Sequence, residues 1–290
     1  MAETVTFRDL RYVRVKTNAI DAPAAFARDT LGLEPAGTDE GRAFFRSDAR
    51  AYSVCFTAAG EEDAIALTVA AEADLATIAA RLEADDFPVV ALGDADCAAR
   101  KIKRGIATRA PNGVAVEFVW RPLTSGWRYH GPRDAGIVEL SSVALATRDI
   151  AADEAFWTGT VGLAVSDWAG DAVFLRLDDA HHRIALYPST TDGLLGIDFA
   201  VEGVNNVMQN FYFLQGRQLP IVHGPGRQPT SGKTFVTTRG PRGLLFTYST
   251  GMEHGASLDG RVPRQFPSAP SSHCGWGSPT TQAEFLGDAG

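Results

Sequence analysis

Two adjacent histidines, His181 and His182, and an aspartate set among apolar residues, Asp198, are the side chains of this sequence best suited to chemistry. An unperturbed imidazole titrates near ~6.5, so at neutral pH it can take or give a proton. His182 is therefore a candidate acid or base; the plainer alternative is a core histidine that holds a loop. In extended chain, neighbours point to opposite faces, so His181 reads as an ordinary, partly exposed histidine. Asp198 lies in "GIDFAVEG", where alternation puts Gly196 and Asp198 on one face and Ile197, Phe199 and Val201 on the other. A carboxylate taken out of water there would have a raised pKa, as an acid or base needs. Its plainer role is to satisfy a backbone donor or an arginine such as Arg227. His223, just before "GPGRQPTS", could reach the mouth of a site, whereas His254 and His273 lie in a Gly-, Ser- and Pro-rich C-terminal stretch and carry little weight.

Other chemistries find little support. Cys55, Cys97 and Cys274 are few, widely spaced and odd in number, which suits a reducing compartment and gives no metal-ligand spacing. Cys274 follows His273 directly, and adjacent residues of an extended segment point apart, so the two do not read as a nucleophile and its base. "GPGR" lacks the Lys-Ser end and following helix of a phosphate loop, and no strand-turn-helix nucleophile elbow surrounds Ser142. The net charge of −8 opposes a nucleic-acid partner. The basic run Arg100-Lys101-Ile102-Lys103-Arg104 reads as a solvated loop. The start "MAETVTFRDL" lacks the features of a signal peptide, and no apolar run approaches the ~20 residues of a membrane helix. A cytoplasmic location with no membrane partner is the expectation.

The elements that must position these residues come in two copies. Leu10, Val13, Thr17, Ile20, Ala25, Phe26, Thr30, Gly32 and Leu33 match Leu140, Val143, Thr147, Ile150, Ala155, Phe156, Thr160, Gly162 and Leu163 at an offset of 140 − 10 = 130. Thr108, Arg109, Pro111 and Gly113 match Thr238, Arg239, Pro241 and Gly243 at the same offset, which marks a duplication. In the second copy a strand over Leu140–Ala146 leads to a helix from about Ala151, stopped by Gly162, a residue tolerant of φ > 0. "AVFLRLDD", "HRIALYP" and "GIDFAVEG" read as strands, a helix follows near 204–214, and "KTFVTTR" and "GLLFTYST" close the half around the turn "GPRG". Each half is thus two β-α-β-β-β units. The divisions are 1–122 for the first module, 123–136 for a linker, 137–250 for the second module with its cavity, and 251–290 for an extended tail. Trp276 and Phe266 are expected to pin that tail over the cavity mouth.

This duplicated pattern resembles the vicinal oxygen chelate superfamily, of glyoxalases, bleomycin-resistance proteins and extradiol dioxygenases, over about residues 10–250. "SVALATRDIAADEAFWTGTVGL", "DDAHHRIALYP", "HGPGRQPTS" and "RQFPSAPSSHCGWG" look most like the two-module type I extradiol dioxygenases. The resemblance implies an α+β fold in which paired β-α-β-β-β units wrap a sheet around a cavity in each module. In that family two histidines and a carboxylate of the second module hold iron(II), leaving open positions where catecholate and O₂ meet. Here the ligand positions fall at Ser142, Gly196 and Thr247, and two assisting side chains, a histidine and a tyrosine, fall at Gln228 and Thr237. In the first module Glu117 stands at a ligand position, but its companions are Tyr12 and about Ala64. The resemblance therefore implies a dioxygenase fold whose iron site is lost, with no cofactor.

Three readings follow. The first is a metal-independent lyase, isomerase or hydrolase acting on a small aromatic or ring-derived molecule. Its acid and base would be His182 and Asp198, and Ser142, Gln228, Thr237, Thr247 and His223 would contact the substrate. The second is a protein that sequesters a small aromatic compound or drug, as bleomycin-resistance relatives do. The third is a metal dioxygenase with displaced ligands, His182, His223 and Asp198. The family often assembles, so the resemblance admits a homo-oligomer.

Overall fold

The computed structural model describes residues 5–58 and 60–287; residues 1–4 and 288–290, at the ends of the first module and the tail, and Ala59 lie outside the described residues. In the first half, β1 (Phe7–Lys16) leads into α1 (Asp21–Ala25) and β2 (Glu34–Asp39), β3 (Arg42–Arg46) and β4 (Val54–Thr57). A second unit runs β5 (Ala64–Val69), α2 (Ala73–Ala84), β6 (Val90–Ala91), the short α3 (Asp94–Arg100), β7 (Arg104–Arg109) and β8 (Ala115–Trp120). The second half repeats this as β9 (Ile137–Thr147), α4 (Ile150–Ala155), β10 (Ala164–Ala169), β11 (Ala172–Arg176) and β12 (Ile184–Pro188), then β13 (Gly193–Val201), α5 (Val204–Gly216), β14 (Ile221–Arg227), β15 (Thr234–Arg239) and β16 (Leu245–Thr250). The fold is α+β, as the duplicated pattern predicts.

Each half builds one curved sheet. The eight-stranded sheet has the order β2-β3-β4-β1-β5-β8-β7-β6. The nine-stranded sheet has the order β14-β15-β16-β13-β9-β12-β11-β10, with a last strand, β17 (Arg264–Phe266), supplied by the C-terminal segment. Within each unit the first and last strands pair in parallel, β9 with β12 and β13 with β16, while β9 and β13 join the two units antiparallel. The duplication reaches into fine detail. Both α1 and α4 run on into a π-helical turn, at Phe26–Leu31 and Phe156–Val161, and both end on a left-handed glycine, Gly32 (φ 83°) and Gly162 (φ 90°). Only a residue without Cβ adopts that geometry at little cost, which is why both copies keep glycine there.

One core joins the halves. Phe156 packs edge-on against Phe87 of the first half and Trp157 of its own, and Phe26 meets Phe246. Trp157 is wholly buried, worth at most about 4–6 kcal/mol for roughly 150–250 Å² of ring at ~25 cal/mol per Å². Ile197, Phe199 and Val201 all face this core, so Asp198 lies on the other face of β13.

Several expectations change. The "GPGR" segment is part of a strand, β14, and β10 is a strand that the pattern did not reveal. The basic run 100–104 is not a solvated loop: Arg100 ends α3 with its Nε 2.7 Å from buried Glu117, and Lys101 Nζ sits 4.5 Å from the centre of the Phe44 ring. The C-terminal segment is not simply extended, since β17 pairs with β10 and α6 (Pro270–His273) follows. Trp276 is 56% exposed and pins nothing, whereas Phe266 packs beside Ala169, Ala172 and Phe174. Among the described residues no helix is long and apolar enough to cross a membrane.

Candidate active site

Strand register brings the polar residues of the second half into one row. Ser142 of β9 pairs with Asp198 of β13, Asp198 with Thr247 of β16, Thr247 with Thr237 of β15, and Thr237 with His223 of β14. Neighbouring strands lie ~4.8 Å apart, so five side chains from five strands line up across the concave face. The row passes through Asp198, not through Gly196, which instead pairs with Ala144 and Leu245. The first half shows why. There the corresponding row is Tyr12–Ala66–Glu117, so Ala66, not Ala64, is the companion of Glu117. The offset between halves is 130 at Tyr12 and Ser142, becomes 198 − 66 = 132 in the middle strand, and returns to 130 at Glu117 and Thr247. Two extra residues before β13 shift its register by two, which keeps the facing parity and exchanges glycine for aspartate.

The row floors a cavity of about 60 Å³, several times the ~10–15 Å³ that holds one water. His182, Gln228, Tyr187, Lys233, His273 and Phe285 complete much of its wall, so all seven residues singled out from the sequence line one space. Lys233, not Arg227, is the partner of Asp198: its Nζ lies 2.7 Å from Asp198 Oδ2 and 3.4 Å from His182 Nε2. Asp198 Oδ2 also accepts from Ser142 Oγ at 3.5 Å, while Oδ1 is buried with no protein partner. The Thr237 and Thr247 hydroxyls bond each other at 2.8 Å, and Gln228 Oε1 accepts from Ser231 Oγ at 2.6 Å.

The roof comes from the C-terminal segment. The His223 ring stacks on Phe285, 5.3 Å between centres and 23° between planes, and Tyr187 meets both Phe285 and His273. Burial, with a small contribution from His273, brings His223 down to about 4; burial alone does the same to His273. Both rings are neutral at pH 7.

His182 and His181 also depart from expectation. Burial, then Lys233, hold His182 well below the ordinary imidazole range, so at neutral pH it is not a half-protonated shuttle but a neutral ring. His181 is fully buried rather than partly exposed, with Nε2 3.0 Å from Asp167 Oδ2 and Nδ1 3.0 Å from His182 Nδ1. The alternation rule fails because both histidines precede β12 in a bend, where neighbours need not point apart.

Sequence reasoning missed Lys233 and His273. Lys233 was within reach: it directly precedes β15, and alternation through Phe235 and Thr237 puts it on the face chosen for Thr237. His273 carried no usable signal, because nothing local says that the tail folds back onto the cavity.

The resemblance implies iron, and the donor set does not fit it. The row offers one carboxylate, three alcohols and, at its end, the His223 imidazole. The carboxylate is engaged by an ammonium, which would repel a divalent cation, and the Thr247 hydroxyl is engaged by Thr237. Among the described residues no group of three or more His, Cys, Asp or Glu side chains converges as a metal site, so His182, His223 and Asp198 are not brought together as displaced ligands.

With this geometry in view, comparison with known proteins is informative. Residues 139–248 match the Glyoxalase/Bleomycin resistance protein/Dioxygenase superfamily. No curated protein sequence matches the chain significantly. Among solved structures, an Mn(II)-bound glyoxalase from Novosphingobium aromaticivorans is 25% identical, with a TM-score of 0.85 over 98% of this chain and 96% of that one. BphC, a halotolerant catechol dioxygenase, is 18% identical, with a TM-score of 0.86 and 97% of both chains covered. Homoprotocatechuate 2,3-dioxygenase from Brevibacterium fuscum, solved with 3,4-dihydroxyphenylacetate, is 18% identical, with a TM-score of 0.85 over 98% of this chain and 93% of that one. Residues 139–248 are thus similar to the Glyoxalase/Bleomycin resistance protein/Dioxygenase superfamily, within a chain that shares the two-module fold of the extradiol dioxygenases.

Proposed function

We propose that the chain is a metal-independent enzyme that moves a proton on a small aromatic or ring-derived oxygen compound, in a lyase, isomerase or hydrolase type of step. The observation that carries this reading is the Lys233 ammonium, lodged between Asp198 and His182 at the floor of a small roofed cavity. A fixed positive charge in a dry site favours an oxyanion as it develops, with no reorganisation during the reaction. Lys233 is then the acid and electrostatic anchor, neutral His182 the base, and Asp198 the group that holds Lys233. Ser142, Thr237 and Thr247 present hydroxyls to substrate oxygen, and Gln228 and His223 bound the ring.

The test is turnover of a panel of monocyclic phenols and ring-cleavage products with chelator in excess, followed by absorbance and proton NMR. Turnover that survives the chelator and drops 10²–10⁴-fold in His182→Ala supports the reading. Turnover that appears only with added iron or manganese overturns it. The roof of Phe285 and His273 favours one second reading, retention of a small aromatic ligand without reaction. Binding that persists for hours with the ligand unchanged, and that His182→Ala leaves intact, would select it.

A further inference from the structure

Behind the cavity wall a line of side chains runs from Lys233 to the C-terminal segment. Lys233 Nζ is 3.4 Å from His182 Nε2, His182 Nδ1 is 3.0 Å from His181 Nδ1, and His181 Nε2 is 3.0 Å from Asp167 Oδ2. Asp167, His181 and His182 each have no exposed surface. Asp167 also accepts from Arg261 Nη2 at 2.6 Å, from Arg264 Nη2 at 2.7 Å and from the Arg264 backbone N–H at 2.9 Å, both arginines belonging to the C-terminal segment.

Each proton in this line has one place to go. Burial alone would raise the Asp167 carboxyl, but His181, Arg264 and Arg261 hold it far below the ordinary range, so it is ionised and can only accept. His181 must then donate from Nε2. Burial, only partly countered by Asp167, keeps His181 below the ordinary imidazole range, so it has a single ring proton and its Nδ1 is bare. The 3.0 Å contact between the two Nδ1 atoms then requires His182 to donate from Nδ1. Burial above all, then Lys233 and the other groups around the ring, disfavours a second proton on His182. Its Nε2 is therefore bare, and Lys233 donates to it. The edge of Phe174, 5.1 Å away between ring centres, fixes the ring plane.

We propose that Asp167 and His181 are positioning residues that lock His182 in the tautomer with its proton on Nδ1 and its lone pair on Nε2, facing Lys233 and the cavity. The ring can then only receive a proton on the cavity side. When Nε2 takes one from a substrate O–H or C–H, the substrate keeps the bonding pair and His182 becomes a cation. Its Nδ1 proton is shared toward His181, and Asp167 stays ionised and stabilises the pair of rings. A buried carboxylate that orients a base through a hydrogen bond follows the logic of a catalytic triad, here with one more imidazole interposed. The role of His182 as base rests on the proposed function, but the placement of protons does not.

The experiment is long-range proton–nitrogen correlation NMR on the full chain labelled with ¹⁵N, at neutral pH, without substrate. The expected pattern has a protonated Nδ1 and bare Nε2 for His182, and the reverse for His181. In folded His181→Phe, which cannot accept from His182 Nδ1, the Nδ1–H signature of His182 should be lost. A wild-type spectrum with His182 protonated on Nε2 would overturn the proposal, as would an unchanged His182 pattern in the folded variant. If His181→Phe does not fold, the wild-type spectrum alone decides. No turnover is needed, so failure here and failure of the proposed activity are told apart.

Discussion

Replacing Lys233 by Met should destabilise the fold far more than a surface lysine would, and the loss should be largely recovered by also replacing Asp198 with Asn. At 2.7 Å, with an effective dielectric of ~20, the attraction between the two charges is about 6 kcal/mol. Both side chains are about nine-tenths buried, so each gave up several kcal/mol of hydration to reach this position, and the net worth of the pair is small. The balance changes when one partner goes. In Lys233→Met the Asp198 carboxylate keeps only a 3.5 Å contact with Ser142 Oγ, and its Oδ1 has no protein partner. Stranding a buried charge costs about 3–5 kcal/mol, a large part of the ~5–15 kcal/mol that holds a domain. Asp198→Asn is milder, about 1–3 kcal/mol, because its amide oxygen still accepts from Lys233. The double variant strands no charge and should fall short of the summed losses by at least about 2 kcal/mol. Urea unfolding, read as midpoints with m held constant, gives the cycle. Additivity within ~0.5 kcal/mol would show that Lys233 and Asp198 are not coupled, and would remove the central feature of the site.

Acid should weaken the fold between about pH 6.5 and 4. His223 and His273 sit at about 4 when folded and near ~6.5 when unfolded, so between those limits the unfolded chain binds more protons and stability is lost as pH falls. Each interval is worth about 3 kcal/mol, and burial of His181 and His182 adds in the same direction. Asp153, raised by burial to about 6, works the other way from ~3.9 to 6 and offsets about one histidine. Thermal unfolding should therefore show a Tm that is flat above pH 7 and falls from 6.5 to 4; a Tm level across that window would contradict the buried, neutral imidazoles. Phe285→Ala removes the ring stacked on His223, lets water reach the imidazole, and should raise its midpoint from about 4 toward ~6.5 in an NMR titration. A midpoint that stays at about 4 would show that Phe285 does not keep the site dry.

Much of the site was legible because strand periodicity is robust to small errors of register. Asp198 was chosen for its facing parity with Gly196, and a register shift of two residues changes the position but not the face, so the same aspartate ends up in the row. The duplication located β9, and the alternating patterns of "GIDFAVEG" and "GLLFTYST" located β13 and β16. What stayed hidden depended on contacts distant in sequence. The alternation rule was applied across His181 and His182, which lie in a bend outside any strand, and so a buried relay was read as a surface histidine. Asp167 gave no signal, since its partners Arg261 and Arg264 lie more than ninety residues further along the chain. Lys233 neutralises a carboxylate 35 residues away, a pairing that no local pattern marks.

The two halves fill corresponding rows differently. The row Tyr12–Ala66–Glu117 has the same strand neighbours as Ser142–Asp198–Thr247 but a different filling. In the first half Tyr12 stacks on Tyr52, with Phe44 edge-on, so aromatic rings occupy the space that Ser142 leaves free. The Glu117 oxygens accept from Tyr12 at 2.5 Å, Arg14 at 2.7 Å and Arg100 at 2.7 Å, so this carboxylate has all the donors it needs from the protein itself. In the second half the carboxylate has one cation and one buried, unpartnered oxygen, and Asp198 lines a cavity with small hydroxyls. A satisfied buried charge network has nothing left with which to bind a ligand, whereas a partly satisfied one costs stability and persists where a ligand supplies the missing donor. The difference between the halves therefore lies in side-chain volume, in unspent hydrogen-bonding capacity and in the two-residue shift that puts Asp198 where the first half has Ala66.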